Sequence, residues 1–130
     1  PFVCYEMIFP QKMPAIDGPA VVINVTNDAW YGRTPGPYQH LRHAQLRAVE
    51  LGLPVIRAAN NGVSAVIDGK GGIIDALGLN VRDALDVALP VREYKTLFEL
   101  ESGKIGWAMV LAFVFIAFLT SFNRNQAPKN

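Results

Sequence analysis

The chain alternates short apolar runs with polar, Gly- and Pro-rich breaks. Pro1–Tyr5 (PFVCY) is mostly apolar and reads as a strand. Ala20–Val25 (AVVINV) is β-branched at four positions and bounded by Gly18-Pro19 and Asn27-Asp28, the pattern of a buried strand running into a polar loop. That loop, AWYGRTPGPYQ, is dense in Gly, Pro and aromatics, which suits an ordered functional loop. A helix is predicted from Tyr38 to Leu51, with Leu41, Ala44, Gln45, Ala48, Val49 and Leu51 on its apolar face and Gly52 then Pro54 as stops. LPVIRAA follows as a second buried strand and Asn60-Asn61-Gly62 as a turn, while VSAVIDGKGGIIDAL reads as a hairpin around Gly69–Gly72. Val81–Val91 alternates weakly and predicts one more strand. Strand, helix, strand, hairpin is an α/β order with a mixed sheet.

The last apolar run is of another kind. Ile105–Phe122 (IGWAMVLAFVFIAFLTSF) carries no charge. As a helix it is about 27 Å long, close to the ~30 Å hydrocarbon core of a bilayer. Trp107 near one end and the flanking Lys104 and Arg124 suit the two interfaces. The expected organisation is a folded part over 1–103, a transmembrane helix over 104–123 and a tail over 124–130. Arg92, Lys95 and Lys104 precede the span while Arg124 and Lys129 follow it, a margin of one that leaves the orientation open.

Composition narrows the chemistry. A formal net charge of +1 and the lack of a basic patch interleaved with aromatics argue against nucleic acid as a partner. The single cysteine excludes an internal disulfide, and no His/Cys cluster has zinc spacing, so no metal or other cofactor is expected. The chain opens inside an apolar run without a methionine or a signal segment, which gives the expectation of a C-terminal portion of a longer protein.

Cys4 is the candidate nucleophile. A thiol is activated by a base or positive charge near its thiolate and by a backbone that presents it at a strand end. PFVCYE supplies the strand end, and Glu6 stands two residues on as a base or as a group that orients one. By composition alone a free cysteine reads first as a small, inert, buried hydrophobe. His40 and His43 share a helix face, but with no third ligand at a matching spacing they read as packing or capping residues. Asn27 and Asp28 fit turn chemistry. Trp30, Tyr31 and Tyr38 are core or pocket lining. Arg57, inside an apolar strand, requires a buried partner and predicts a structural ion pair.

Taken in order, CYEMIFP, TNDAWYG, GPYQH, RAVE and RAANNG resemble the bacterial apolipoprotein N-acyltransferase family over about Phe2 to Asp68. The resemblance implies the C-terminal half of a nitrilase-like αββα sandwich followed by one transmembrane helix. It implies Cys4 as a nucleophile that takes an acyl chain from a phospholipid as a thioester and passes it to the N-terminal amine of a diacylglyceryl apolipoprotein. It further implies Glu6 as a support of the catalytic site and the Tyr5 backbone N–H as an oxyanion donor. Asn27, Trp30 and Tyr31 are implied near the substrate. The implied location is the inner membrane, with the catalytic part on its periplasmic side.

Two positions depart from the family pattern. The glutamate base and the lysine lie upstream of the cysteine in the family, and no Glu or Lys precedes Cys4 here, so the segment alone is expected to be inactive. IDGKGG stands where relatives more often have a proline after the aspartate. Two other readings share the residues: a membrane-anchored amidase or carbamoyl hydrolase of the nitrilase type, and a non-catalytic membrane-anchored binding domain.

Overall fold

A computed structural model describes residues 1–9, 20–92 and 95–126, and the side chains of all of these but 99–103 and 122–126. The folded unit comprises Pro1–Leu100 and the second unit Glu101–Asn130. The predicted strand boundary at Gly18-Pro19 lies outside the described residues.

One five-stranded sheet organises the first unit, in the order β1 (Phe2–Val3), β2 (Val22–Asn27), β3 (Val55–Asn60), β4 (Ser64–Ile67), β5 (Ile73–Leu77). The first three strands are parallel and the last two antiparallel. The mixed sheet matches the α/β expectation. Helix α1 (Gly36–Leu51) makes the crossover from β2 to β3 and ends at Gly52, whose φ of 61° provides the left-handed cap. It starts two residues earlier than the aromatic Tyr38 suggested, because Pro37 fits the first turn, where its missing N–H costs nothing.

The core lies between α1 and one face of the sheet. Leu41, Ala44, Ala48 and Leu51 pack with Val22, Val55, Ala65 and Ile67, and Met7 joins them from the turn after β1. Val49, expected on this apolar face, is exposed instead. Arg47 takes a buried place on the helix, paired with Glu50 at 3.0 Å. The hairpin forms as predicted, with Asp68 closing it by accepting from the Lys70 and Gly72 N–H groups.

Two predicted strands are corrected. The strand over Pro1–Tyr5 stops at Val3, because Cys4–Ile8 coils into a 3-10 turn. No strand forms over Val81–Val91, whose weak alternation finds no sheet edge to join.

Helix α2 (Leu97–Gln126) contains the segment Lys104–Ser121, with mean hydropathy 1.9 and none of it buried. Among the described residues it is the one helix long and apolar enough to cross a membrane. An apolar surface on every side of a helix is unfavourable in water and favourable in lipid.

Candidate active site

The site is built where the parallel strands end. Phe2 and Val3 pair with Asn24 and Val25, which delivers Cys4 to the carboxyl edge of the sheet. There the backbone reverses: Cys4 has φ 48°, in the left-handed region that non-glycine residues seldom adopt. Glu6 closes the turn by accepting the Val3 N–H at 2.9 Å. Strain of this kind persists only where the surroundings hold it. The Cys4 side chain is half-buried and free of any disulfide.

Tyr5, directly after Cys4, sits in an aromatic cluster. Its ring stacks on His40 (centroids 5.4 Å apart, planes at 24°) and meets Trp30 edge-on at 5.5 Å. Trp30 in turn stacks on Tyr31 at 4.4 Å. The Tyr31 hydroxyl donates to that of Tyr5 at 2.7 Å, and burial with this bond pushes the Tyr31 phenol well above its ordinary range. Gly36 permits the approach, since a Cβ there would lie 2.2 Å from the Tyr31 ring. Trp30 remains 63% exposed, so it is rim rather than core. Asn27 makes an Asx turn, accepting the Ala29 N–H at 3.1 Å, and thereby fixes the start of the Trp30 loop.

Beneath the cluster lies a buried polar network that the turn reading of Asp28 missed. Arg57 donates from Nη2 to Asp28 Oδ2 (2.6 Å), from Nη1 to Asn24 Oδ1 (2.5 Å) and from Nε to the Val63 carbonyl (3.2 Å). The ion pair expected for Arg57 is therefore present, with Asp28 as its partner. Asp28 Oδ1 accepts from the Thr26 hydroxyl (3.1 Å) and from His40 Nδ1 (2.9 Å). Burial lowers the Arg57 guanidinium from its ordinary value, and the charge and hydrogen bond of Asp28 oppose that shift. A Cβ at position 62 would lie 2.3 Å from Asp28 Oδ2, so Gly62 makes room for the carboxylate. One cue to Asp28 was available in the sequence: a buried arginine in β3 needs an acid, and the acid at the end of the adjacent parallel strand is within reach.

Beside the network opens a cavity of about 450 Å³, lined by Arg33, Thr34, Tyr38, Asn61 and Asn80 among others. It lies past the carboxyl ends of β2 and β3, where open α/β sheets bind ligands. Among the described residues no group of three or more His, Cys, Asp or Glu is arranged to hold a metal. His43 does not join His40 at Asp28; burial and the neighbouring Arg47 and His40 lower its pKa.

A parallel-edged mixed sheet, a crossover helix and a cysteine on a strained turn after a short strand define a thiol-bearing α/β fold. The chain belongs to the carbon-nitrogen hydrolase family, which it matches over residues 1–110. It is similar to proteins named apolipoprotein N-acyltransferase. It is 60% identical over 81 residues to that of Allorhizobium ampelinum (62% of this chain, 15% of the relative). It is 47% identical over 126 residues to that of Sinorhizobium medicae (95% and 23%). With that of Bradyrhizobium diazoefficiens it shares 40% identity over 131 residues, covering 100% of this chain and 24% of the relative. The chain thus spans less than a quarter of the length of these relatives.

Proposed function

We propose that this chain is the nucleophile-bearing part of an apolipoprotein N-acyltransferase, working at the bacterial inner membrane with its sheet on the periplasmic side. The strongest single support is that relatives aligned along 95% and 100% of the chain bear that name. The conformation of Cys4 supports the same chemistry from the side of geometry.

In the first step the Cys4 thiolate attacks the ester carbonyl of a phospholipid. A C–S bond forms and the ester C–O bond breaks, and the lysophospholipid leaves as its alcohol after taking a proton. The Tyr5 N–H, one residue past the nucleophile, donates to the oxyanion of the tetrahedral intermediate. In the second step the α-amine of a diacylglyceryl cysteine attacks the thioester. A C–N bond forms, the C–S bond breaks, and the amine proton passes to a base.

Glu6 holds the turn closed through Val3 and so sets where the thiol points. Asn27 shapes the loop that carries Trp30 and Tyr31 to the rim, where an acyl chain or lipoprotein segment passes. Helix α2 spans the bilayer and keeps the site next to its lipid substrates. No lysine or glutamate precedes Cys4 in this sequence, so the chain alone is expected to transfer no acyl group.

The test uses the full-length gene product in detergent or proteoliposomes with phospholipid carrying a labelled acyl chain. Label bound to Cys4 as a hydroxylamine-sensitive thioester, and transferred to a diacylglyceryl peptide, is expected. Amide or carbamoyl turnover without lipid label on Cys4 would replace this reading by a hydrolase. Binding of lipoprotein with neither reaction would replace it by a non-catalytic domain.

A further inference from the structure

The residues that flank the nucleophile are held by one buried network. On the upstream side Asn24, itself fully buried, donates from Nδ2 to the Phe2 carbonyl at 3.3 Å, two residues before Cys4. On the downstream side the Tyr5 ring lies on His40. Both contacts lead back to Arg57, which fixes Asn24 directly and His40 through Asp28.

The chemistry of the network sets its orientation. A carboxylate bonded to a guanidinium can only accept, so His40 Nδ1 carries a proton toward Asp28. The Arg57 bonds leave Asn24 with its oxygen toward the guanidinium and its amide toward Phe2, one assignment that satisfies every partner. His40 Nε2 is buried with no hydrogen-bond partner among the described residues. A buried, unpartnered polar nitrogen carries a desolvation cost that a leucine or phenylalanine in its place would avoid. That cost accompanies a ring whose other nitrogen is fixed to Asp28.

We propose that His40 is a positioning residue for acyl transfer, its ring held by the Asp28–Arg57 pair so that it fixes Tyr5 and, through it, the oxyanion-donating backbone N–H next to Cys4. This rests on the acyltransferase reading above and adds a role that reading does not contain. His40 touches neither the thiol nor the acyl group in this arrangement; it acts through the Tyr5 ring. Asn24 performs the matching task on the other side of the turn. The strained φ of Cys4 gives the network something to oppose, since a turn free to relax would rotate the Tyr5 amide away.

The experiment compares His40→Ala, His40→Phe and wild type in the full-length protein, measuring Cys4 acylation by labelled phospholipid and Cys4 alkylation by iodoacetamide. Alkylation by so small an electrophile needs an accessible thiolate and no oxyanion donor. His40→Ala is expected to slow acylation about 100-fold with little change in KM, the size of loss that a displacement near 1 Å produces. Alkylation is expected to stay within about two-fold of wild type on the same ground. His40→Phe, which restores a ring under Tyr5, is expected to recover acylation to within about ten-fold of wild type.

Wild-type acylation in His40→Ala overturns the proposal. So does a parallel loss of acylation and alkylation in both variants, which marks a role in folding alone. If His40→Ala does not fold, His40→Phe decides: acylation within ten-fold of wild type supports the ring's role, and a deeper loss with normal alkylation overturns it. Failure of the wild-type protein itself to acylate Cys4 removes the acyltransferase reading, and the positioning role falls with it.

Discussion

The two faces of the sheet are composed in opposite ways. On the face under α1, β2 contributes Val22, Asn24 and Thr26 and β3 contributes Val55 and Arg57, all buried. On the other face the same strands present Ile23, Val25 and Ala58, all exposed, beside exposed Val3 of β1. The covered face thus carries much of the polarity, while the uncovered face is apolar up to the Asn27–Asn60 pair at the carboxyl end of its strands. An ordinary two-layer domain would reverse this assignment. The polar side is buried because its polar groups are paired with one another. The apolar side is built for another layer, as in the αββα sandwich of the family, where two sheets meet face to face.

The sharpest way to break the contrast is to unpair the covered face. Arg57→Ala in the full-length protein leaves the Asp28 carboxylate buried without its cation and is expected to cost about 4 kcal/mol of stability. Urea unfolding followed by tryptophan fluorescence measures it. Replacing the pair together, Asp28→Asn with Arg57→Met, is expected to recover at least half of that loss, since no charge is then stranded.

The open face is tested by Val25→Asp. If a second sheet covers it in the full-length protein, a carboxylate there costs about 3 kcal/mol, read in the same unfolding assay. Unchanged stability means that solvent, not protein, meets this face. A smaller effect, of opposite sign, is expected at the turn. Cys4→Gly removes the left-handed penalty and is expected to stabilise by about 1 kcal/mol while abolishing acylation. Cys4→Ala, which keeps the Cβ, removes the thiol without that gain, and a shift in Tm separates the two.

The smallest effect is in pH. Burial, Arg47 and His40 lower the pKa of His43 on the covering helix below its ordinary 6.5. The unfolded chain therefore takes up this proton first as pH falls. Stability is unaffected well above pH 6.5 and declines from there down to the lowered pKa of the folded state. His43→Gln is expected to flatten that part of a stability–pH curve, and an unchanged slope would falsify the assignment.

These faces also explain what was legible beforehand. The β-branched run Ala20–Val25 identifies a strand, and the apolar PFV before Cys4 places the cysteine at a strand end. Hydrophobicity alone, however, assigns Ile23 and Val25 to the interior and Asn24 and Thr26 to solvent, the inverse of what the sheet does. The inversion arises from partners distant in sequence, Arg57 for Asn24 and Asp28, which no local pattern encodes. Arg57 was readable as half of an ion pair, because an arginine in an apolar strand demands an acid. Asp28 was read as a turn residue because it follows Asn27, and the one cue to its pairing was its place at the end of the strand beside Arg57. Helix α1 and the long apolar helix were legible because their signals are local: a glycine stop in one and eighteen uncharged residues in the other. The turn at Cys4 was hidden because a cysteine extends an apolar run without announcing a reversal.

Position 4 also carries a cost that a substitution can remove. Glycine takes a left-handed conformation at no steric expense, and it lies one nucleotide change from cysteine. Random variants selected for heat resistance alone are therefore expected to return glycine at this position, whereas variants selected for acylation are expected to keep the thiol. The two selections pull one residue in opposite directions.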